Sequence, residues 1–434
     1  MPEPRERTVA AMRMNRGEAC FHTSVRGEPR GPLCGMGTCF ECRTEIDGVR
    51  HERACMRALQ QAPPVAIPER CDTLVVGAGP AGLAAARAAA ARGQQVVLLD
   101  DQAGPGGQIW RGMPGLAPAG VTHVPHATVI GPQAERTLLV DSPSGARAIA
   151  YTRLILATGA CELFLPFPGW TQTNVLGAGG LQALVKSGLE VRGKRIVVAG
   201  SGPLLLAVAK FLQQQGAVVL AVLEQAPLAR VLRFSLGLVL RPAKLLQGLR
   251  LRQGLPYRCG EWVTAIAGAR VSTSAGRHFA VDLLACAYGL VPNTRLLALL
   301  PDAIPCGEMT GIGGVDKAVL EGEMAGSGVR PAGLGPELAF AARLARAFAL
   351  RPELRALPRA DTIVCRCEDV TLGELSACSS WRDAKLQTRC GMGACQGRVC
   401  GPAAHFLFGW PVADARPPVF QVALQSLSST LPSA

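Results

Sequence analysis

The sequence predicts an α/β protein built on two dinucleotide-binding units of the Rossmann type, with a small cysteine-rich unit at each end. Glycine turns stand between an apolar strand and an apolar helix at "VVGAGPAGLAAARAAA" and again at "VVAGSGPLLLAVAKFL". Cysteines crowd into "CGMGTCFEC" at residues 34–42 and "CGMGACQGRVC" at 390–400. No apolar run approaches the roughly eighteen residues of a membrane span: the best, "FAVDLLACAYGLVP", is broken by Asp282.

A chain of 434 residues with 49% hydrophobic and 18% charged residues has room for two to four domains and a real core. "MPEPRERTVAAM" carries no apolar signal-peptide segment, so a cytoplasmic protein is expected. Sixteen cysteines in that compartment point to metal or catalysis rather than to disulfides. The formal charge of +13 comes from scattered Lys and Arg, with no basic run interleaved with aromatics, so no nucleic-acid partner is expected.

The first unit, residues 1–62, ends in the linker-like "QQAPPVAIPER". Cys34, Cys39, Cys42 and Cys55 give C-x4-C-x2-C-x12-C, whose first three members match plant-type 2Fe-2S spacing. Gly35 and Gly37 let backbone N–H groups turn toward the sulfurs. Zinc is the competing ligand, but zinc sites favour two short knuckles over this asymmetric loop.

The second unit opens with "CDTLVVGAGPAGLAAARAAAARGQQVVLLDD", which reads strand, glycine turn, helix, strand. Gly77 permits the tight turn and Gly79 lets the backbone approach a pyrophosphate. Gly82 lets helix and strand close up, and the helix N-terminus, entered through Pro80 and Ala81, offers N–H groups to phosphates. Asp100 closes the next strand, placed to accept from a ribose. The motif alone does not separate FAD from NAD.

The third unit, 186–280, keeps Gly200 and Gly202 but has Leu205 at the third glycine position, where its side chain pushes the helix off the strand. Glu224 ends the next strand. A structural remnant of a nucleotide fold is expected here, with NAD binding as the alternative. No C-x-x-C lies near either fold, so a disulfide-reductase mechanism has no redox pair. After the linker "RPELRALPRA", residues 361–410 form the last unit, in which Cys365, Cys367, Cys390, Cys395 and Cys400 compete for four ligand places. Cys20, Cys71, Cys161, Cys259, Cys286, Cys306 and Cys378 are isolated and read as packing residues. No histidine lies in a motif or near paired carboxylates, so no catalytic acid or base is assigned.

"LILATGA" and "CGEMTGIGGVDKAVLEGEMAG" resemble the two-dinucleotide flavoprotein reductases, which implies FAD in the first fold, over 70–185 and 281–350. That resemblance adds Gln108, Thr158, Gly159 and Gly307 to the site. It aims the Gly313-Gly314 helix N-terminus at the flavin, where a helix dipole stabilises negative charge, and puts Glu308 at the ribityl chain. The "CRCEDVT" stretch resembles the helical bacterioferritin-associated ferredoxin domain, which implies Cys365, Cys367, Cys395 and Cys400 as ligands and Cys390 as spare. Together with "GEPRGPLCGMGTCFEC", "GPGGQIWRG", "LPFPGW", "AGSGPLLLAVA" and "YGLVPN", these phrases resemble the large electron-transfer subunits of opine oxidases, D-hydroxyproline dehydrogenases and hydrogen cyanide synthase.

The resemblance implies an FAD-dependent oxidoreductase with two 2Fe-2S clusters and no working NAD(P) site. Its N-terminal unit is a partial β-grasp ferredoxin domain, and its partner a separate amine-oxidising flavoprotein subunit in a heteromer, through which any membrane association would run. An independent NAD(P)H-dependent reductase and a non-catalytic cysteine-rich remnant are the rival readings. Leu300 runs almost directly into "PCGE", so the strand that leads to the late glycine segment in the family is expected to be missing.

Overall fold

The structure is a computed structural model that describes residues 8–60, 63–411 and 415–428. The expected end of the first unit at residue 62 falls outside them. The chain divides into two compact units, one of residues 60–161, 291–342 and 414–434 and the other of residues 1–59, 162–290 and 343–413.

The first of these carries the earlier glycine turn. Its sheet has the order Val121–Val124, Val96–Leu99, Arg70–Val76, Arg147–Leu156, Thr137–Asp141, Thr128–Ala134, and Ile304–Pro305 pairs with Arg147–Leu156. The pairings among the first four strands are parallel, and the last two are antiparallel. "VVLL" at Val96–Leu99 is buried at every position, as expected for a parallel strand covered on both faces. The helix Pro80–Ala90 is alanine-rich for a packing reason. Gly322 and Gly326 of the helix Val315–Ser327 lie so close that an added Cβ would come 2.1 Å from the Ala81 carbonyl oxygen and 2.2 Å from that of Ala85. The strand expected to be missing is present in shortened form: Ile304 and Pro305 pair in parallel with Ile155 and Leu156, which delivers Cys306 and Gly307 to the end of the sheet.

The other unit holds the second fold: a five-stranded parallel sheet in the order Val175–Leu176, Leu283–Ala287, Arg195–Gly200, Val218–Glu224, Tyr257–Cys259. A three-stranded antiparallel sheet, Val263–Ala267, Arg270–Thr273 and His278–Ala280, follows. The expected boundaries at 185 and 281 differ from this. Residues 162–185 and 281–290 join this unit, because Val175–Leu176 pairs with Leu283–Ala287 while Leu181 and Leu184 enter a core with Leu205, Val208 and Leu212.

Both cysteine-rich ends belong to this same unit. The N-terminal one consists of the helix Val9–Asn15, a short hairpin His22–Thr23 with Pro29–Arg30, and a longer one, Arg43–Ile46 with Val49–Arg53, turned by Asp47 and Gly48 at positive φ. The C-terminal one consists of the hairpin Ile363–Cys365 with Val370–Thr371 and the helices Leu372–Ser376, Trp381–Thr388 and Cys400–Phe408. Thr371 and Glu374 cap the first of these helices reciprocally.

Candidate functional site

At the first glycine turn, Gly77 has φ +103° and a Cβ there would meet the Ala157 carbonyl oxygen at 2.4 Å. At Gly82 it would come 1.7 Å from the Gly77 carbonyl oxygen, so strand and helix close only around glycines. A Cβ on Gly79 would instead point into open space, with nothing nearer than Gly107 Cα at 4.0 Å. A cradle over the N-terminus of the helix Pro80–Ala90 fits a pyrophosphate. The loop bearing Gln108 is held against this cradle by the Gly106 N–H, which donates to the Ala78 carbonyl at 2.8 Å.

The flanking groups follow. Asp100 accepts from the backbone N–H groups of Ala78 and Gln102, and burial, then Asp101, push its carboxyl up to about 7. Its oxygens therefore brace the turn, a role that its place at the strand end did not reveal. Thr158 and Gly159 follow the strand Arg147–Leu156, with the Thr158 hydroxyl donating to the Asn293 carbonyl at 2.7 Å. Glu308 Oε1 accepts from the N–H groups of Gly313 at 3.1 Å and Gly314 at 2.8 Å, so it closes the turn that begins the helix Val315–Ser327. A buried Lys317–Glu321 pair, 2.9 Å apart, ties Gly307 to the same helix: Glu321 accepts from the Gly307 N–H and Lys317 donates to the Gly307 carbonyl.

The second turn is built differently. Glu224, fully buried and pushed up to about 7 by that burial, accepts from the Gly202 N–H at 2.7 Å and the Ala226 N–H at 2.9 Å. Gly202 is the counterpart of Gly79; its amide is taken by Glu224, while the space where a Cβ would stand is open. Beside it, Ser201 Oγ donates to the Phe348 carbonyl at 3.0 Å, and the Arg351 N–H donates to Gln225 Oε1 at 3.2 Å. Leu205 is fully buried in the core beneath.

The N-terminal cysteine site is preorganised by backbone. Cys34, Cys39, Cys42 and Cys55 are all buried. Cys34 Sγ accepts from the N–H groups of Met36, Thr38 and Cys39 at 3.3–3.4 Å, Cys39 from Glu41, Cys42 from Cys55, and Cys55 from Gly37. The loop achieves this with Gly35 and Gly37 at φ +59° and +79°. A hydrogen bond from the Cys39 thiol brings Cys34 down to about 6 against its burial, with the backbone amides assisting. Four thiols lined by inward N–H groups fit a thiolate-bound cluster.

The C-terminal thiols converge as well. Cys365, Cys390 and Cys400 have their sulfurs within 4.8 Å of one another, and Cys395 bonds to Cys367 and Cys400. The four expected ligands thus form a run Cys365, Cys400, Cys395, Cys367. Cys390, expected to be spare, touches Cys365 and Cys400 at one end of it. Of the cysteines expected to serve packing, Cys20 is exposed.

The description "Pyridine nucleotide-disulphide oxidoreductase" matches residues 71–319 and "2Fe-2S iron-sulfur cluster binding domain" matches residues 3–66. The chain belongs to the pyridine nucleotide-disulphide oxidoreductase family. It is 30% identical to the hydrogen cyanide synthase subunit HcnB of Pseudomonas aeruginosa, over 75% of this chain and 90% of that protein. To an opine oxidase subunit of Rhizobium meliloti it is also 30% identical, over 76% of this chain and 90% of that one. L-proline dehydrogenase from P. horikoshii shares the fold, with a TM-score of 0.67 at 18% identity, over 97% of this chain and 94% of that one. This oxidoreductase is FAD-dependent and carries a 2Fe-2S domain. Among the described residues no helix is long and apolar enough to cross a membrane.

Sequence reasoning missed Lys317 and Glu321, and also Glu41, Arg366, Arg30 and Asp369. Lys317 and Glu321 had a signal, the i,i+4 spacing on a helix. The other four pair across more than three hundred residues, which no local pattern records.

Proposed function

We propose that this chain is the electron-transfer subunit of a cytoplasmic, heteromeric dehydrogenase acting on an amino-acid-like amine of the opine, hydroxyproline or glycine type. A separate amine-oxidising flavoprotein subunit would carry out the substrate chemistry. The observation that carries the reading is the presence, in one chain, of a dinucleotide cradle and two sets of buried thiols, Cys34, Cys39, Cys42 and Cys55 in one and Cys365, Cys367, Cys390, Cys395 and Cys400 in the other; of the second set we take Cys365, Cys367, Cys395 and Cys400 as the ligands.

FAD accepts a pair of electrons and 2Fe-2S centres take them singly, which is the chemistry such a chain supplies when loaded. Gly77, Gly79 and Gly82 would hold the pyrophosphate, with Thr158, Gly159, Gly307, Gly313 and Gly314 around the rest of the nucleotide. The inward N–H groups on Cys34 stabilise its thiolate over the thiol. The engaged Gly202 amide argues against nicotinamide as the electron donor.

The test is anaerobic mixing of the chain with opines, hydroxyproline, sarcosine or glycine, with and without a separate amine-oxidising flavoprotein subunit. Flavin and iron-sulfur absorbance should bleach only when that subunit is present. Bleaching by an amine in its absence would place the substrate site on this chain and overturn the reading.

A further inference from the structure

Two buried ion pairs join the cysteine-rich ends of the chain inside the unit they share. Glu41 lies between Cys39 and Cys42, and Arg366 lies between Cys365 and Cys367. Their side chains meet at 2.9 Å, Arg366 Nε on Glu41 Oε2, and both are almost wholly removed from solvent, at 2% and 1% exposure. Arg366 is fixed on its other edge: Nη1 donates to the Trp170 carbonyl at 2.9 Å, and the guanidinium lies 5.0 Å over the Trp170 ring. Trp170 in turn donates from its indole N–H to the Ile363 carbonyl at 2.6 Å, in the strand that carries Cys365. The second pair, Arg30 with Asp369 at 2.6 Å, is equally buried and links the segment before Cys34 to the residue two beyond Cys367.

A buried ion pair brings little net stability over an apolar pair of the same shape, so its presence asks for another reason. Position supplies one. Glu41 lies between Cys39 and Cys42 and its carboxylate reaches Arg366 between Cys365 and Cys367, so one charge pair stands next to both thiol sites. Glu41 Oε1 is buried and has no hydrogen-bond partner among the described residues.

We propose that the Glu41–Arg366 pair is an electrostatic coupler between the two thiol sites, so that a charge change at either residue shifts the reduction potential at both. The inference rests on the reading of both sites as 2Fe-2S sites. The sign follows from charge alone: reduction adds one electron to a cluster, turning one ferric ion ferrous, and a nearby negative charge opposes that addition. Glu41→Gln removes a negative charge and leaves Arg366 unopposed, so both potentials rise. Arg366→Met leaves Glu41 unopposed, so both fall. Arg366→Lys keeps the charge and should stay near the parent protein, and the double variant Glu41→Gln/Arg366→Met should return toward it.

The experiment is an anaerobic redox titration of the reconstituted full chain with dithionite and mediator dyes, followed by electron paramagnetic resonance. Cys34→Ser and Cys395→Ser assign the two signals. Iron and acid-labile sulfide are measured first, so that a chain lacking clusters refutes the iron-sulfur reading itself rather than the coupling. With both clusters present, parallel shifts of the two signals in each single variant, opposite in sign between the variants, support the coupler. A shift confined to the cluster whose own loop carries the substitution, or no shift, overturns it. Glu41→Gln preserves shape and hydrogen-bonding reach, so the outcome does not hang on Arg366→Met folding well.

Discussion

Cys390 and Cys395 lie in one loop, both buried, yet their surroundings differ. Cys395 accepts from the backbone N–H groups of Val399 and Gly397 and is hydrogen-bonded to Cys367 and Cys400, whereas the thiols hydrogen-bonded to Cys390 are those of Cys365 and Cys400. A sulfur supported by backbone amides is prepared to be a thiolate. Cys395→Ser is therefore expected to lose the second cluster's paramagnetic signal, because a hydroxyl replaces a thiolate poorly on iron, while Cys390→Ser retains it. Loss of the signal in Cys390→Ser would make Cys390 the ligand. Gly82 gives a second residue-scale expectation: Gly82→Ala puts a methyl 1.7 Å from the Gly77 carbonyl oxygen, so helix and strand must part and FAD should wash out on gel filtration. FAD retained at one per chain would show that the turn yields more easily than its packing implies.

The two dinucleotide elements share a plan and differ in which amide the strand-end acid takes. Asp100 accepts from Ala78, the middle residue of its turn, while Glu224 accepts from Gly202, the residue that should face a phosphate. Neither NADH nor NADPH should therefore bleach the flavin at a useful rate in stopped-flow absorbance. Replacing Leu205 does not change this, since Leu205 lies in the core and the Gly202 amide stays engaged. Leu205→Ala is expected to cost about 2–5 kcal/mol in urea unfolding, the usual range for a buried large-to-small change, without any gain of nicotinamide binding. Rapid bleaching by either nucleotide in either protein would favour an independent reductase. The glycine turns, the strand-helix-strand order and the first three cysteines were legible because each is a local pattern of a few residues. The acids at the strand ends were legible as positions but not as roles, because which amide each one accepts is decided by the path of the turn. Ile304–Pro305 was misread as absent since two residues suffice to pair with a strand already present, and so short an element leaves no periodicity to read.

At the scale of the whole molecule, charge and thiol content point the same way. The chain carries a formal +13, and two thiolate-bound 2Fe-2S clusters at about −2 each with a flavin dinucleotide at about −2 would leave roughly +7. Part of the basic excess would then offset the cofactors, though buried Arg30 and Arg366 would not contribute, since Asp369 and Glu41 already neutralise them. A zinc reading predicts a different composition. Each zinc closes one tetrahedral site without sulfide, whereas each 2Fe-2S cluster brings two irons and two sulfides to four thiolates. Protein purified without oxygen is therefore expected to contain about four irons, four acid-labile sulfides and one FAD per chain, with little zinc. Half that iron with one FAD would leave a single thiol site filled, and the Cys34→Ser and Cys395→Ser proteins would tell which. Zinc at one per thiol site without sulfide would refute the iron-sulfur assignment for that site and take with it the electron route on which the subunit's proposed function depends.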